Sequence, residues 1–124
     1  MPMYQVNNFG WKDMELPYAN LEELIATVRA NRASLLAPAL EPIAKMVRDN
    51  WGGMFHNASL EKGKLIPANP HNQDHKLQLM GVGIRDYSDD VLEIACGYIL
   101  WRERGKGFKK ERVDTLTFKF MPGN

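Results

Sequence analysis

Three histidines, one cysteine, three serines and two oppositely charged runs are the groups in this chain that chemistry could use. His71 and His75 stand four apart with Asp74 between them, and His56 lies upstream. On a helix that spacing would put both rings on one face, as a divalent metal requires. Pro67 and Pro70 oppose a helix there, and no glutamate occupies the place a zinc protease needs. The histidines therefore read first as exposed loop residues, and only second as the lining of a ligand pocket. No metal or other cofactor is expected.

Cys96 sits between Ala95 and Gly97 in an apolar run, with no base or positive charge beside it. A nucleophilic thiol needs both, so Cys96 reads as a small core residue. Ser34, Ser59 and Ser88 lie in no Gly-x-Ser-x-Gly elbow. Gly81-Val82-Gly83 lacks the third glycine of a dinucleotide fingerprint, because Asp86 stands in its place. Gly105-Lys106-Gly107 has no phosphate-loop frame and reads as a hairpin turn, while Asn57-Ala58-Ser59 is a glycosylation sequon only for a secreted chain. Catalysis thus has no assembled constellation to rest on.

Charge is laid out more tellingly. Residues 86 to 93 hold Asp86, Asp89, Asp90 and Glu93 and no base, giving −4. Their spacing departs from a calcium loop, so they read as a solvated turn. Residues 102 to 112 hold six bases (Arg102, Arg104, Lys106, Lys109, Lys110, Arg112) against Glu103 and Glu111, giving +4. The two runs nearly cancel in the formal net charge of +1. Either they are loops charged because loops are wet, or they are complementary surfaces for association. Phe108 within the basic run could stack on a base, which keeps single-stranded nucleic acid open as a partner.

Elements must hold these groups in place. Tyr4 and Val6 alternate with polar residues and predict a short first strand ending at Gly10, followed by an irregular stretch over 11 to 19. Asn20 and Glu23 form a capping box, the Glu23 carboxylate reaching back to the Asn20 amide. Leu21, Leu24, Ile25, Val28 and Leu35 then carry an apolar helical stripe to a stop at Pro38, with Glu22, Arg29 and Arg32 opposite. Leu40, Ile43, Val47 and Trp51 mark a second helix, begun near Pro38 or Glu41 and closed by Gly52-Gly53. Residues 54 to 75 show no clear period and exceed ordinary loop length, with a brief strand possible at Leu65-Ile66.

Beyond Lys76 the period becomes two. Leu77, Leu79, Val82 and Ile84 predict a strand whose facing shifts at a bulge near Gly81 and Gly83. A turn over 86 to 90, a long strand from Val91 to Glu103, a basic loop from Arg104 to Arg112 and a last strand from Val113 to Met121 complete a meander. Both faces of the long strand are apolar at its centre. Two helices could cover one, and Phe9 and Trp11 part of the other; left uncovered, Ile99 and Trp101 would form a sticky patch.

With 124 residues, 44% apolar and 25% charged, the chain fits one globular core. One cysteine excludes an internal disulfide framework. The near-neutral total argues against a DNA mimic or a generic polybasic binder. No basic and apolar leader opens the sequence, and Val91 to Trp101 is too short and too polar to span a bilayer, so cytoplasmic residence without membrane partners is expected. These readings converge on an α+β domain over residues 1–124, with two helices from its N-terminal half on one face of a three- to four-stranded, mainly antiparallel sheet. Its expected role is a non-catalytic protein-binding or assembly subunit, of the kind common among phage and mobile-element proteins. Its expected partner is another protein or further copies of itself. The expected contact residues are Arg102, Arg104, Lys106, Phe108, Lys109, Lys110 and Arg112 at one end, and Asp86, Asp89 and Asp90 at the other. The alternatives are a nucleic-acid module using the basic loop and a small enzyme or ligand binder near His56, His71 and His75.

Overall fold

The computed structural model describes residues 1–32, 34–35, 37–51 and 75–123. Five antiparallel strands form one sheet in the order β2-β1-β5-β4-β3: β1 (Met3–Asn7), β2 (Trp11–Glu15), β3 (His75–Ser88), β4 (Val91–Arg104) and β5 (Gly107–Pro122). Between β2 and β3 come α1 (Leu21–Ala30), a 3-10 turn (Pro38–Leu40) and α2 (Glu41–Trp51). The chain thus leaves one edge of the sheet, builds both helices, and returns at the other edge. The α+β class with two helices stands, and the sheet has one strand more than expected.

That extra strand is β2, which takes up residues 11–15 of the irregular stretch expected over 11 to 19 and leaves 16–19 irregular. Its residues Trp11, Lys12, Asp13 and Glu15 are exposed, so no apolar alternation announces it. Pairing is dictated by the turn before it. Phe9 and Gly10 both take positive φ (63° and 112°), and the Gly10 amide donates to Asn7 Oδ1 at 3.3 Å, closing a three-residue hairpin between Asn7 and Trp11. Phe9 is 78% exposed and Trp11 49%, so the N-terminal segment widens the sheet instead of covering its second face. A short, charged strand also suits an edge, since it offers little for another strand to pair with.

α1 starts where the capping box places it. The Glu23 amide donates to Asn20 Oδ1 at 2.9 Å, and the Glu23 carboxylate accepts from the Ala19 amide, one residue before the expected donor. Leu21, Leu24, Ile25 and Val28 are buried, while Glu22, Arg29 and Arg32 are exposed. The helix ends at Ala30, well short of Pro38. The reason is tertiary: the Arg32 carbonyl accepts from the Val82 amide at 3.2 Å, so the backbone must leave helical geometry to reach the β3 edge. Leu35 is still fully buried, although outside the helix. In α2, Pro42 lies in the first turn, where its missing amide costs nothing; Ile43 and Val47 of α2, and Leu40 of the 3-10 turn before it, are buried as expected. The Trp51 side chain, the Gly52-Gly53 stop and the 54–74 segment lie outside the described residues.

The meander is legible in its alternation. Leu92, Ile94, Cys96, Tyr98 and Leu100 of β4 are buried beside Phe118 and Phe120 of β5 and Leu79 and Val82 of β3. Each fully buried large apolar side chain contributes about 1.5–3 kcal/mol through removal from water. A register shift between Leu79 and Gly81 is the facing change read near the glycines, and a second shift, between Ile84 and Asp86, lies beyond Gly83 at Arg85. Gly81 takes φ +149°, a conformation that side chains resist.

Two tyrosines tie the layers together. Tyr4 donates from its hydroxyl to the Tyr18 carbonyl, and Tyr18 donates to the Ala39 carbonyl, each at 2.6 Å. Burial, and then the neighbouring Tyr4 and Glu23, push the Tyr18 phenol up to about 12. The side chains of α1 and α2 enter the same core as one face of the sheet. Among the described residues, no helix or strand packs over the other face.

Candidate functional site: a charged hairpin and an open sheet face

The two charged runs are not loops but the ends of long strands. β3 continues through Ser88, and only Asp89 and Asp90 turn the chain, with φ of 53° and 59°. Ser88 pairs with Val91 across them, as a type I′ hairpin requires. At the opposite end Gly105 (φ 62°) and Lys106 form the turn, and Phe108–Lys110 pair with Trp101–Glu103. The expected basic loop over 104–112 is therefore a strand pair, with a bulge where Leu100 pairs with Arg112 and Trp101 with Lys110. β4 joins the two ends. Its fourteen residues separate them by about 43 Å at roughly 3.3 Å per residue.

Neighbours trim both charges. Glu111, at the bulge, approaches Arg102 Nη1 at 3.3 Å and Arg104 Nη2 at 4.0 Å. Arg112 Nε lies 3.9 Å from Asp114. Among the described residues no ion pair engages Lys106, Lys109 or Lys110, so these three exposed lysines carry the free charge of the basic tip. The Phe108 side chain, and with it the stacking role expected of it, lies outside the described residues. At the acidic end Arg85 Nε comes within 3.6 Å of Glu93, leaving Asp86, Asp89 and Asp90 exposed and without an ion pair among the described residues. Exposed pairs of this kind contribute about 0–1 kcal/mol each, so they orient side chains more than they hold the fold.

The acidic end also carries a cavity of about 300 Å³, lined by Tyr4, Asn20, Glu22, Tyr87, Asp90 and Pro122. Tyr87 donates to Glu22 Oε1 at 2.9 Å, which raises its phenol pKa and ties β3 to α1. This cavity was not expected from the sequence, because its walls come from both termini, a helix start and a hairpin. Among the described residues no group of three or more histidine, cysteine or acidic side chains could hold a metal. The pocket expected near His56 and His71 lies outside the described residues, as does the His75 side chain, although His75 opens β3. Cys96 is fully buried, and burial pushes its thiol up to about 12, which removes it as a nucleophile near neutrality.

Between the charged ends runs the open face. It carries Glu93, Ala95, Gly97, Ile99 and Trp101 from β4, with Thr117, Thr115 and Val113 beside them on β5 and Gly83, Gly81 and Gln78 on β3. Ile99 and Trp101 are half-buried, Val113 is 56% exposed and Met80 44%. The Trp101 indole donates to Gln78 Oε1 at 3.1 Å, which fixes the ring against the sheet. Beside this apolar end lies a depression of about 430 Å³ lined by Met80, Gly81, Gly83, Arg85 and Ala95 and, from the segment after α1, by Arg32. A ridge and a hollow thus share one face, flanked by opposite charges. No described helix is long and apolar enough to cross a membrane. Comparison with known proteins leaves the arrangement to be read on its own terms: no family model, no curated protein and no solved structure matches the chain.

Proposed function

We propose that this protein is a non-catalytic binding or assembly subunit that contacts a protein partner through the open sheet face and the charged ends of the β4 hairpins. One observation carries the reading. Ile99, Trp101, Val113 and Met80 adjoin one another on a face that no described element covers, next to the lysine-rich tip. Apolar side chains so grouped, with charge at the rim, fit an interface core and its polar edge. Three of the six bases in the basic run engage carboxylates, which favours a protein surface over a phosphate backbone as partner.

Light scattering over a range of concentration and salt, combined with capture of partners from the cells that naturally make the protein, tests this. The expected result is self-association or one saturable partner, lost when Lys109 and Lys110 are both changed to glutamate. A monomer under every condition, with no saturable partner, would defeat the reading. A gel-shift series separates the nucleic-acid alternative, because binding through phosphates weakens steeply with salt.

A further inference from the structure

We infer that the outer edge of β3 takes an extended peptide as an added strand, with a basic residue first, an apolar residue third and an acidic residue fifth. This site is distinct from the Ile99–Val113 face, and its test is independent of that reading. β3 is the last strand of the sheet, fourteen residues long, and from Met80 to Ile84 it carries no charge. Edges are ordinarily kept short or charged, as β2 is at the opposite side. Among the described residues one bond already reaches the β3 edge, from the Val82 amide to the Arg32 carbonyl at 3.2 Å. Main-chain groups alternate in direction along an antiparallel strand, so those of Ile84 face outward as Val82's do. Ser88 closes the hairpin against Val91, which turns the groups of Tyr87 outward too, and the bulge at Arg85 takes up the odd residue. Ile84 and Tyr87 are therefore the rungs on which a new strand pairs.

Both flanks of this edge are hollow, as the alternating side chains of an added strand require. On the helix side a groove of about 580 Å³ runs between Glu22, Ile25, Ala26 and Arg29, one stripe of α1, and the side chains of Ile84 and Tyr87. On the open side lies the depression at Gly81, Gly83 and Ala95, which Ile84 also lines. Nothing stands within 4 Å of a Cβ built at Gly83, so that flank has room for a side chain. Charge complementarity sets the order of the peptide. Tyr87 bonds Glu22 at one end of the groove and Val82 bonds Arg32 at the other, so α1 runs antiparallel to β3. Glu22, Asp90 and Tyr87 line one cavity at the first end and make it acidic. Arg29 and Arg32 are exposed at the second end, and among the described residues no ion pair engages them. Val82 to Tyr87 spans about 16 Å at roughly 3.3 Å per residue, which five extended residues match. A peptide antiparallel to β3 sets its first, third and fifth side chains against Glu22, Ile25 and Arg29, and its second and fourth over the glycines. The Arg32 carbonyl closes the edge at Val82, so the acidic residue is the last that fits.

Fluorescence anisotropy on the full-length chain tests the inference with the pentapeptide Arg-Val-Leu-Val-Glu, labelled at its N-terminus and amidated at its C-terminus. Saturable binding is expected. The peptide Glu-Val-Leu-Val-Arg, with both end charges exchanged, should bind at least about tenfold more weakly. N-methylation of the leucine amide, which faces Ile84, should weaken the parent peptide at least about tenfold as well. Ala26→Arg, at an exposed helix position, should fill the groove and cost at least about tenfold in affinity, with circular dichroism unchanged. Arg29→Glu should shift the preference toward the peptide that ends in arginine, and Val113→Glu should leave binding as it is. An absence of saturation, or an affinity indifferent to both N-methylation and Ala26→Arg, would overturn the inference. Loss of binding in Val113→Glu would move the peptide to the open face and overturn it too. So would a dimer of the bare chain in sedimentation velocity that Ala26→Arg dissociates, since the groove would then hold a second copy's strand.

Discussion

Tyr18→Phe removes one oxygen from the core and should change both the size of the stability and its pH dependence. The Tyr18 hydroxyl donates to the Ala39 carbonyl at 2.6 Å, from a side chain only 2% exposed. Its loss leaves that carbonyl without the donor, which costs about 1–3 kcal/mol when the acceptor cannot rehydrate freely. Near neutral pH the variant should therefore unfold at lower urea, by about 2 kcal/mol. The alkaline limb carries the sharper test. The folded-state phenol is raised to about 12 from an ordinary value of 10.0, because burial disfavours the phenolate. A raised pKa means that the unfolded chain gives up the proton first. The stabilisation is therefore complete below about pH 10 and is lost as pH climbs toward about 12, at about 1.4 kcal/mol per pH unit. The phenylalanine variant lacks this loss. Urea titrations of both proteins at intervals from pH 8 to 12 should give curves that converge above pH 10 and meet between about pH 11 and 12. Lysine titration is common to both and cancels in the difference. Curves that stay parallel through pH 11.5 would refute the argument that Tyr18 is held protonated by the core.

Three further outcomes follow from local geometry. Asn20→Ala deletes the acceptor for the Glu23 amide and should lower stability by about 1 kcal/mol in urea unfolding, with α1 unchanged in extent by circular dichroism. Asp90→Gly relieves a non-glycine residue at φ 59° in a two-residue hairpin and should stabilise by about 0.5–1 kcal/mol, read as a melting temperature raised by a few degrees. Cys96 should resist a thiol-specific reagent in the folded protein at pH 8 and react stoichiometrically in urea, since it is fully buried and its thiol is held at about 12.

What could be read from the sequence was whatever obeyed a local rule. The α1 stripe Leu21–Leu24–Ile25–Val28, its asparagine cap, Pro42 in the first turn of α2 and the Leu116–Phe118–Phe120 alternation all follow from periodicity or capping chemistry, and the structure has each of them. The two-sided apolar character of β4 was also visible, and with it the patch at Ile99 and Trp101. The misreadings have a common physical origin in non-local pairing. β2 carries no apolar alternation because it is an edge strand, and only the Asn8-Phe9-Gly10 turn signals it. α1 stops early because the Arg32 carbonyl pairs with Val82, fifty residues on, and no local signal encodes that bond. The basic run looked like a loop because its charges suit one, yet a cross-strand partner can be as polar as the residue it pairs with. Lys109 with Arg102 is such a pair. The hollow over Gly83 and Ala95 required the register of β3 against β4, which two bulges set.

The sharpest test of the open face as a binding surface is a photo-crosslinking amino acid placed at Val113 and, for comparison, at Lys45 on the exposed side of α2. The experiment is run in the cells that naturally make the protein and repeated on the purified chain. Val113 should give one discrete adduct, with a second copy or a single partner, that disappears when Lys109 and Lys110 are changed to glutamate. Lys45 should give none. An absence of adducts at Val113, or equal labelling from both positions, would contradict the account.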